Sequence, residues 1–135
     1  MEMLDISGVA LERCYANNGQ HKEQKAVLAL TGEIKKADNK PYTEGGDVLD
    51  IQLKSARATV CKGTSLAEHL KHDGAKRYAY ITKDDKMYIM SPNEYIEFVN
   101  EFGTVTNESK KNGGHEKIRL GHETKKMLEW LAERA

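Results

Sequence analysis

The stretch from Arg77 to Phe102 constrains the fold more than any other. Two runs rich in aromatic and β-branched residues, Arg77-Tyr78-Ala79-Tyr80-Ile81-Thr82 and Lys86-Met87-Tyr88-Ile89-Met90, flank Asp84-Asp85. That pattern predicts an antiparallel hairpin. A helix start follows at once. Ser91 can cap, Pro92 fits the first helical position, and Glu94 can reach back to close a capping box. Tyr95, Ile96, Phe98, Val99 and Phe102 then supply an apolar helix face. The ring set Tyr78, Tyr80, Tyr88, Tyr95 and Phe98 is expected to form a core between hairpin and helix.

Other elements arrange themselves around this unit. Residues 123–134 are amphipathic through Met127, Leu128, Trp130 and Leu131 and predict a closing helix. A helix is expected from about His21 to Leu30, stopped at Thr31-Gly32, with Glu23 on its polar side. Val9, Leu11, Cys14 and Tyr15 fall near one stripe, predicting an earlier helix broken at Asn17-Asn18-Gly19. Residues Ile34 to Gly46 carry turn formers and read as a loop or irregular hairpin. A central strand is expected next, continuing through Ser55 to Cys61. Ser65-Leu66-Ala67-Glu68 has the spacing of a capping box and opens a short helix toward His72. Lys117 to Leu120 reads as a short strand. Helices and strands alternate irregularly, so the fold class is mixed α+β (α/β), a mixed sheet flanked by helices in one domain over residues 1–135.

Charged residues make up 31% of the 135 residues and cancel to a formal net charge of zero. Long-range attraction to nucleic acid or membrane is therefore absent, and any polyanion site must be a local patch. Cys14 and Cys61 lie far apart among apolar neighbours and read as reduced, mostly buried thiols, which suits a cytoplasmic protein. No apolar run approaches the roughly 20 residues that span a bilayer, so no membrane partner is expected. Met1-Glu2-Met3-Leu4-Asp5 lacks the features of a signal peptide.

The chemistry-bearing segment is Gly45-Gly46-Asp47-Val48-Leu49-Asp50-Ile51-Gln52-Leu53-Lys54-Ser55. Strand alternation sends Asp50, Gln52 and Lys54 to one surface and Leu49, Ile51 and Leu53 into the core. An acid, an oxygen ligand and a cation on one half-buried surface suit a divalent metal and a scissile phosphate. The Asp47…Gln52-Leu53-Lys54 series, between an acid-bearing helical region and a helix near residue 65, resembles the PD-(D/E)XK restriction-endonuclease-like nucleases. Its tight spacing is most similar to that of the mismatch-repair nicking enzymes. The resemblance implies a restriction-endonuclease-like central sheet and a Mg²⁺ or Mn²⁺ site. Asp47 and Gln52 would be ligands, with Asp50 taking the place of Asp47 if the strand runs unbroken, and Lys54 would orient the attacking water and stabilise phosphate charge. It also implies an N-terminal helical Glu, for which Glu12 comes first, then Glu23 and Glu33. Gln52 stands where the family usually has a carboxylate, giving the site one negative charge fewer.

Ser55 and Arg57 continue the strand and are placed to touch phosphate. Lys110, Lys111, His115, Lys117, Arg119, Lys125 and Lys126 form a late basic cluster around Gly113-Gly114, whose backbone N–H groups can meet phosphates. His69 and His72 lack a matching Cys or carboxylate and read as solvent-facing rather than as zinc ligands. The expected activity is a Mg²⁺-dependent DNA endonuclease or nickase, acting as a homodimer or with a partner subunit for double-strand cleavage. The alternative is a non-catalytic module of the same fold that binds nucleic acid or protein.

Overall fold

A computed structural model describes residues 1–12, 14, 18–32, 50–62, 66, 70, 75–107 and 116–135. In chain order the elements are β1 (Glu2–Asp5), α1 (Asn18–Thr31), β2 (Ile51–Ser55), β3 (Thr59–Lys62), β4 (Arg77–Ile81), β5 (Lys86–Met90), α2 (Pro92–Phe102), β6 (Gly103–Asn107), β7 (Glu116–Leu120) and α3 (Lys125–Arg134). The fold is mixed α+β. Strands β1-β5-β4-β2 form one sheet and β3-β7-β6 a second.

The hairpin expected from the sequence is β4 and β5, with Tyr78 opposite Met90 and Tyr80 opposite Tyr88. Asp85 adopts a left-handed φ of 59° in its turn, a region that Asp tolerates better than most side chains. The capping box forms as read: Glu94 N–H donates to Ser91 Oγ at 3.2 Å and Ser91 N–H to the Glu94 carboxylate at 2.9 Å. These two bonds satisfy backbone donors that helix geometry leaves without partners. β2 joins the sheet parallel to β4, with Gln52 opposite Tyr78 and Lys54 opposite Tyr80. A parallel pair needs a long crossover; residues 56–76 supply it, with Leu66 and Leu70 helical within it.

Both faces of the four-stranded sheet are covered, and alternation sorts them. Tyr78, Tyr80, Tyr88 and Met90 join Tyr95, Phe98 and Val99 of α2, Met127 and Leu131 of α3, and Ile118 and Leu120 of β7 in one cluster. Ile51, Leu53, Ala79, Ile81, Met87 and Ile89 meet Ala26 and Val27 of α1 and Ile6 in another. Tyr78 stacks on Tyr95 with centroids 4.2 Å apart and rings 6° from parallel, while Tyr80 tilts against Phe98 at 5.2 Å. The aromatic core expected between hairpin and helix is therefore present.

Four expectations are corrected. The segment carrying Val9 and Leu11 is not helical; the chain begins with β1, paired antiparallel to β5. β5 pairs with residues 2–5, Ile6 N–H bonds Asp85 O at 2.8 Å, and Val9 N–H closes a turn on Ile6 O at 3.1 Å, so a turn stands where apolar spacing predicts the helix start. Helix α1 does form, and it ends at Gly32, where a φ of 75° suits glycine at a helix stop. The strand expected to be central is β2, which stands at the edge of its sheet among the described strands and does not continue to Cys61: Ser55–Ala58 turns, with Arg57 at φ 63°, and β3 enters the other sheet. Strand β6 was not expected. Gly103 lets α2 pass directly into it, since a Cβ there would stand 2.6 Å from Val99 O. Finally, Cys14 is exposed rather than buried. The capping box read at Ser65–Glu68 lies mostly outside the described residues.

Candidate functional site

In β2 the alternation holds: Ile51 and Leu53 are buried, while Gln52 and Lys54 are half-buried. Asp50 precedes the strand and is engaged on both its groups. Its carbonyl accepts the N–H groups of Lys76 and Arg77 at 3.0 and 3.1 Å. Its carboxylate accepts Arg77 Nη2 at 2.9 Å and Nε at 3.3 Å. The Arg77 hydrogen bonds hold the Asp50 carboxyl below the usual carboxylate range. Asp50 thus ties the start of β2 to the start of β4.

A cavity of about 440 Å³ opens where the end of β2 meets the first turns of α1. Gln20, Lys22 and Glu23 come from the helix, and Lys54, Ser55 and Ala58 from β2 and its turn, over an apolar floor of Leu53 and Ile81. Lys54 Nζ donates to the carbonyl of Thr59 at 3.2 Å. That acceptor is neutral, so the bond positions the ammonium without cancelling its charge.

Lys22 is held quite differently. Its side chain is buried, and Nζ donates to Thr82 O at 2.9 Å, to Lys83 O at 3.2 Å and to Asp85 Oδ1 at 2.8 Å. Lys25 Nζ takes the other carboxylate oxygen at 2.8 Å. Burial works to raise the Asp85 carboxyl, but the hydrogen bonds and charges of the two lysines outweigh it and leave its pKa lowered. This clamp ties α1 to the β4–β5 turn and fixes the rotation at which Gln20 and Glu23 reach the cavity.

Of the residues expected to act, the structure gathers Lys54, Ser55 and Glu23 around one cavity. Glu12, the first choice for the helical acid, is exposed at a bend instead of on a helix, because the chain ahead of α1 forms β1 and turns. Asp47, Glu33, Lys110, Lys111, His115, His69 and His72 lie outside the described residues. Gln52 and Asp50 do not line the cavity among the described residues. Arg57 and Arg119 are exposed, and Lys117 is half-buried. Sequence reasoning missed Gln20 and Lys22. The signal for Gln20 was its place one turn before Glu23, which puts both on one helix face. No group of three His, Cys, Asp or Glu side chains converges among the described residues. No helix among them is long and apolar enough to cross a membrane.

The fold class is established as mixed α+β by this geometry. Compared with family models, curated proteins and solved structures, the chain matches none.

Proposed function

We propose that the protein is a Mg²⁺- or Mn²⁺-dependent DNA endonuclease or nickase whose reaction takes place in the cavity between α1 and β2. The observation that carries the reading is the meeting of Lys54, Ser55 and Glu23 around that space. Glu23 would supply a carboxylate oxygen for the metal; of the other ligands the resemblance implies, Gln52 does not line the cavity and Asp47 lies outside the described residues. A metal held there would lower the pKa of a bound water and neutralise charge on the phosphate. Lys54, held toward Thr59 O by a neutral acceptor, keeps its charge for the phosphate oxygens on which negative charge develops. The first turn of α1 adds the positive end of a helix dipole to the same rim. Further support comes from topology: β2 belongs to a mixed sheet, at its edge among the described strands, and is followed by a crossover to a parallel strand.

Purified protein incubated with supercoiled plasmid and with single-stranded DNA, in Mg²⁺ or Mn²⁺ against EDTA, tests the reading. Metal-dependent nicking or linearisation that Lys54→Ala abolishes is the expected result. Cleavage unchanged in that variant removes Lys54 from the mechanism, and intact DNA throughout removes the activity. One observation favours the second reading, a non-catalytic binding module. Asp50 is committed to Arg77 and Gln52 carries no charge, so β2 itself offers no available carboxylate among the described residues. For such a module, binding is independent of metal and survives Asp47→Ala.

A further inference from the structure

The outward side of the three-stranded sheet carries a pattern that the cavity does not explain. In β7, Ile118 and Leu120 are buried in the aromatic cluster, so alternation turns Lys117 and Arg119 to the other side. In register beside them on β6 stand Thr106 and Thr104 respectively, both exposed. On the opposite flank, β3 places Thr59 against Arg119 and Lys62 against Lys117. The face positions on β6 and β7 thus hold two cations and two hydroxyls, with no acidic and no aromatic residue; Arg119 is exposed, while Lys117 is half-buried and already takes part in an interaction.

We propose that this sheet face is the surface on which duplex DNA lies, gripping its phosphate backbone through Arg119 and Lys117 with Thr104 and Thr106 as flanking hydroxyl donors. The inference rests on the nuclease reading for its choice of partner and deepens it by placing the substrate. Charge complementarity is local, as a chain of zero net charge requires. A guanidinium and an ammonium two residues apart on a strand are separated by about 7 Å of backbone, a span matched to neighbouring phosphates of one strand. The face lacks the aromatic platforms on which single-stranded bases stack, so contact is with phosphates of a duplex and not with bases. Its link to the cavity is direct. Thr59, opposite Arg119 in register, is the residue whose carbonyl holds Lys54 Nζ at 3.2 Å. The backbone of β7 is therefore about one strand spacing, ~5 Å, from the group that orients the cavity lysine.

The experiment is fluorescence-anisotropy titration of a labelled duplex in EDTA across a salt series, for wild type, Arg119→Gln, the double variant Lys117→Gln/Arg119→Gln, and Lys76→Gln as an equal charge loss elsewhere on the surface. Plasmid nicking in Mg²⁺ is measured in parallel. Each phosphate contact contributes about 0.9 to the slope of log affinity against log salt. Arg119→Gln is expected to weaken binding about 5-fold and lower the slope by about one, and the double variant by about two. Lys76→Gln is expected to match wild type, and thermal midpoints report on folding. Equal weakening by Lys76→Gln, or duplex affinity and slope unchanged in the double variant, overturns the proposal. Tighter binding of wild type to single-stranded DNA or RNA than to duplex overturns it as well. Weakened duplex binding without any metal-dependent nicking supports the DNA-binding face while defeating the nuclease reading. Nicking that persists with unchanged duplex affinity in the double variant does the reverse.

Discussion

The two faces of the four-stranded sheet are built from the same strands yet solve different problems. One is filled by rings: Tyr78, Tyr80, Tyr95 and Phe98 are among the largest fully buried side chains, and α2, α3 and the second sheet close over them. The other is filled by Ala26, Val27, Ala79, Ile51 and Leu53, with α1 as the only described helix packed against it. Large interlocking rings leave little unfilled space. The aliphatic cluster also holds Ile6, Ile81, Met87 and Ile89, and the buried polar side chains among the described residues are Lys22 and Gln24 of α1 and Thr82 at the end of β4. The cavity lined by Lys54 and Glu23 opens beside these residues, where the end of β2 meets α1, although alternation places Lys54 opposite Tyr80 on the ring-filled side. The proposed chemistry thus falls at the end of β2, while the ring cluster holds the fold.

That contrast is open to attack, most strongly at its aromatic half. Phe98→Ala removes a ring in contact with Tyr80, Phe102 and Trp130 and is expected to cost about 3–5 kcal/mol in urea unfolding. A loss under about 1 kcal/mol means the aromatic face does not carry the fold. At the cavity, Lys54→Ala is expected to reduce metal-dependent nicking by about 10²-fold or more while moving the unfolding midpoint little, since its one described bond is to a backbone carbonyl. A large stability loss with unchanged nicking inverts the division of labour.

The Lys22–Asp85–Lys25 clamp sharpens the comparison from the pH side. The folded pKa of Asp85 is lowered, so its stabilising contribution is complete above the unfolded carboxyl pKa and is lost as pH falls through the folded value. Asp85→Asn should cost about 2 kcal/mol near neutrality, the scale of a charged hydrogen bond, and should flatten the acid limb of a stability–pH profile. An acid limb identical to wild type removes the clamp as its source. The smallest effect is expected at the helix start. Ser91→Ala deletes the side-chain half of the capping box and should cost about 1 kcal/mol, without altering nicking or DNA binding.

Much of this architecture was legible along the chain because it rests on local rules. The hairpin from Arg77 to Met90 follows from alternation around an Asp-Asp turn. Helix α2 follows from its cap, its proline and its apolar period, and α1 and α3 from the same signals in weaker form. Alternation in β2 also placed Ile51 and Leu53 inside and Gln52 and Lys54 on the other side. At the candidate site, Lys54 and Ser55 were singled out by residue type and strand position, and Glu23 stood as the second choice among three acids. Glu12, first among those acids, falls at an exposed bend because the segment with Val9 and Leu11 is not helical.

Pairing partners in space decided the rest. Whether residues 2–5 form a strand depends on the open edge of β5, some eighty positions away, and no local propensity of Glu-Met-Leu-Asp records that edge. Strand β6 exists because β7 offers it a ladder and Gly103 admits a close turn at Val99. The break after Ser55, which sends β3 to another sheet and brings Thr59 O under Lys54, comes from a left-handed Arg57 that the sequence does not announce. Sequence therefore determined the elements whose signals lie within a few residues: capped helices, a tight hairpin and the alternating faces of a strand. The tertiary structure alone decided which edges pair and which side chains share a cavity, because those outcomes depend on contacts between segments far apart in the chain, whose closure local chemistry does not encode.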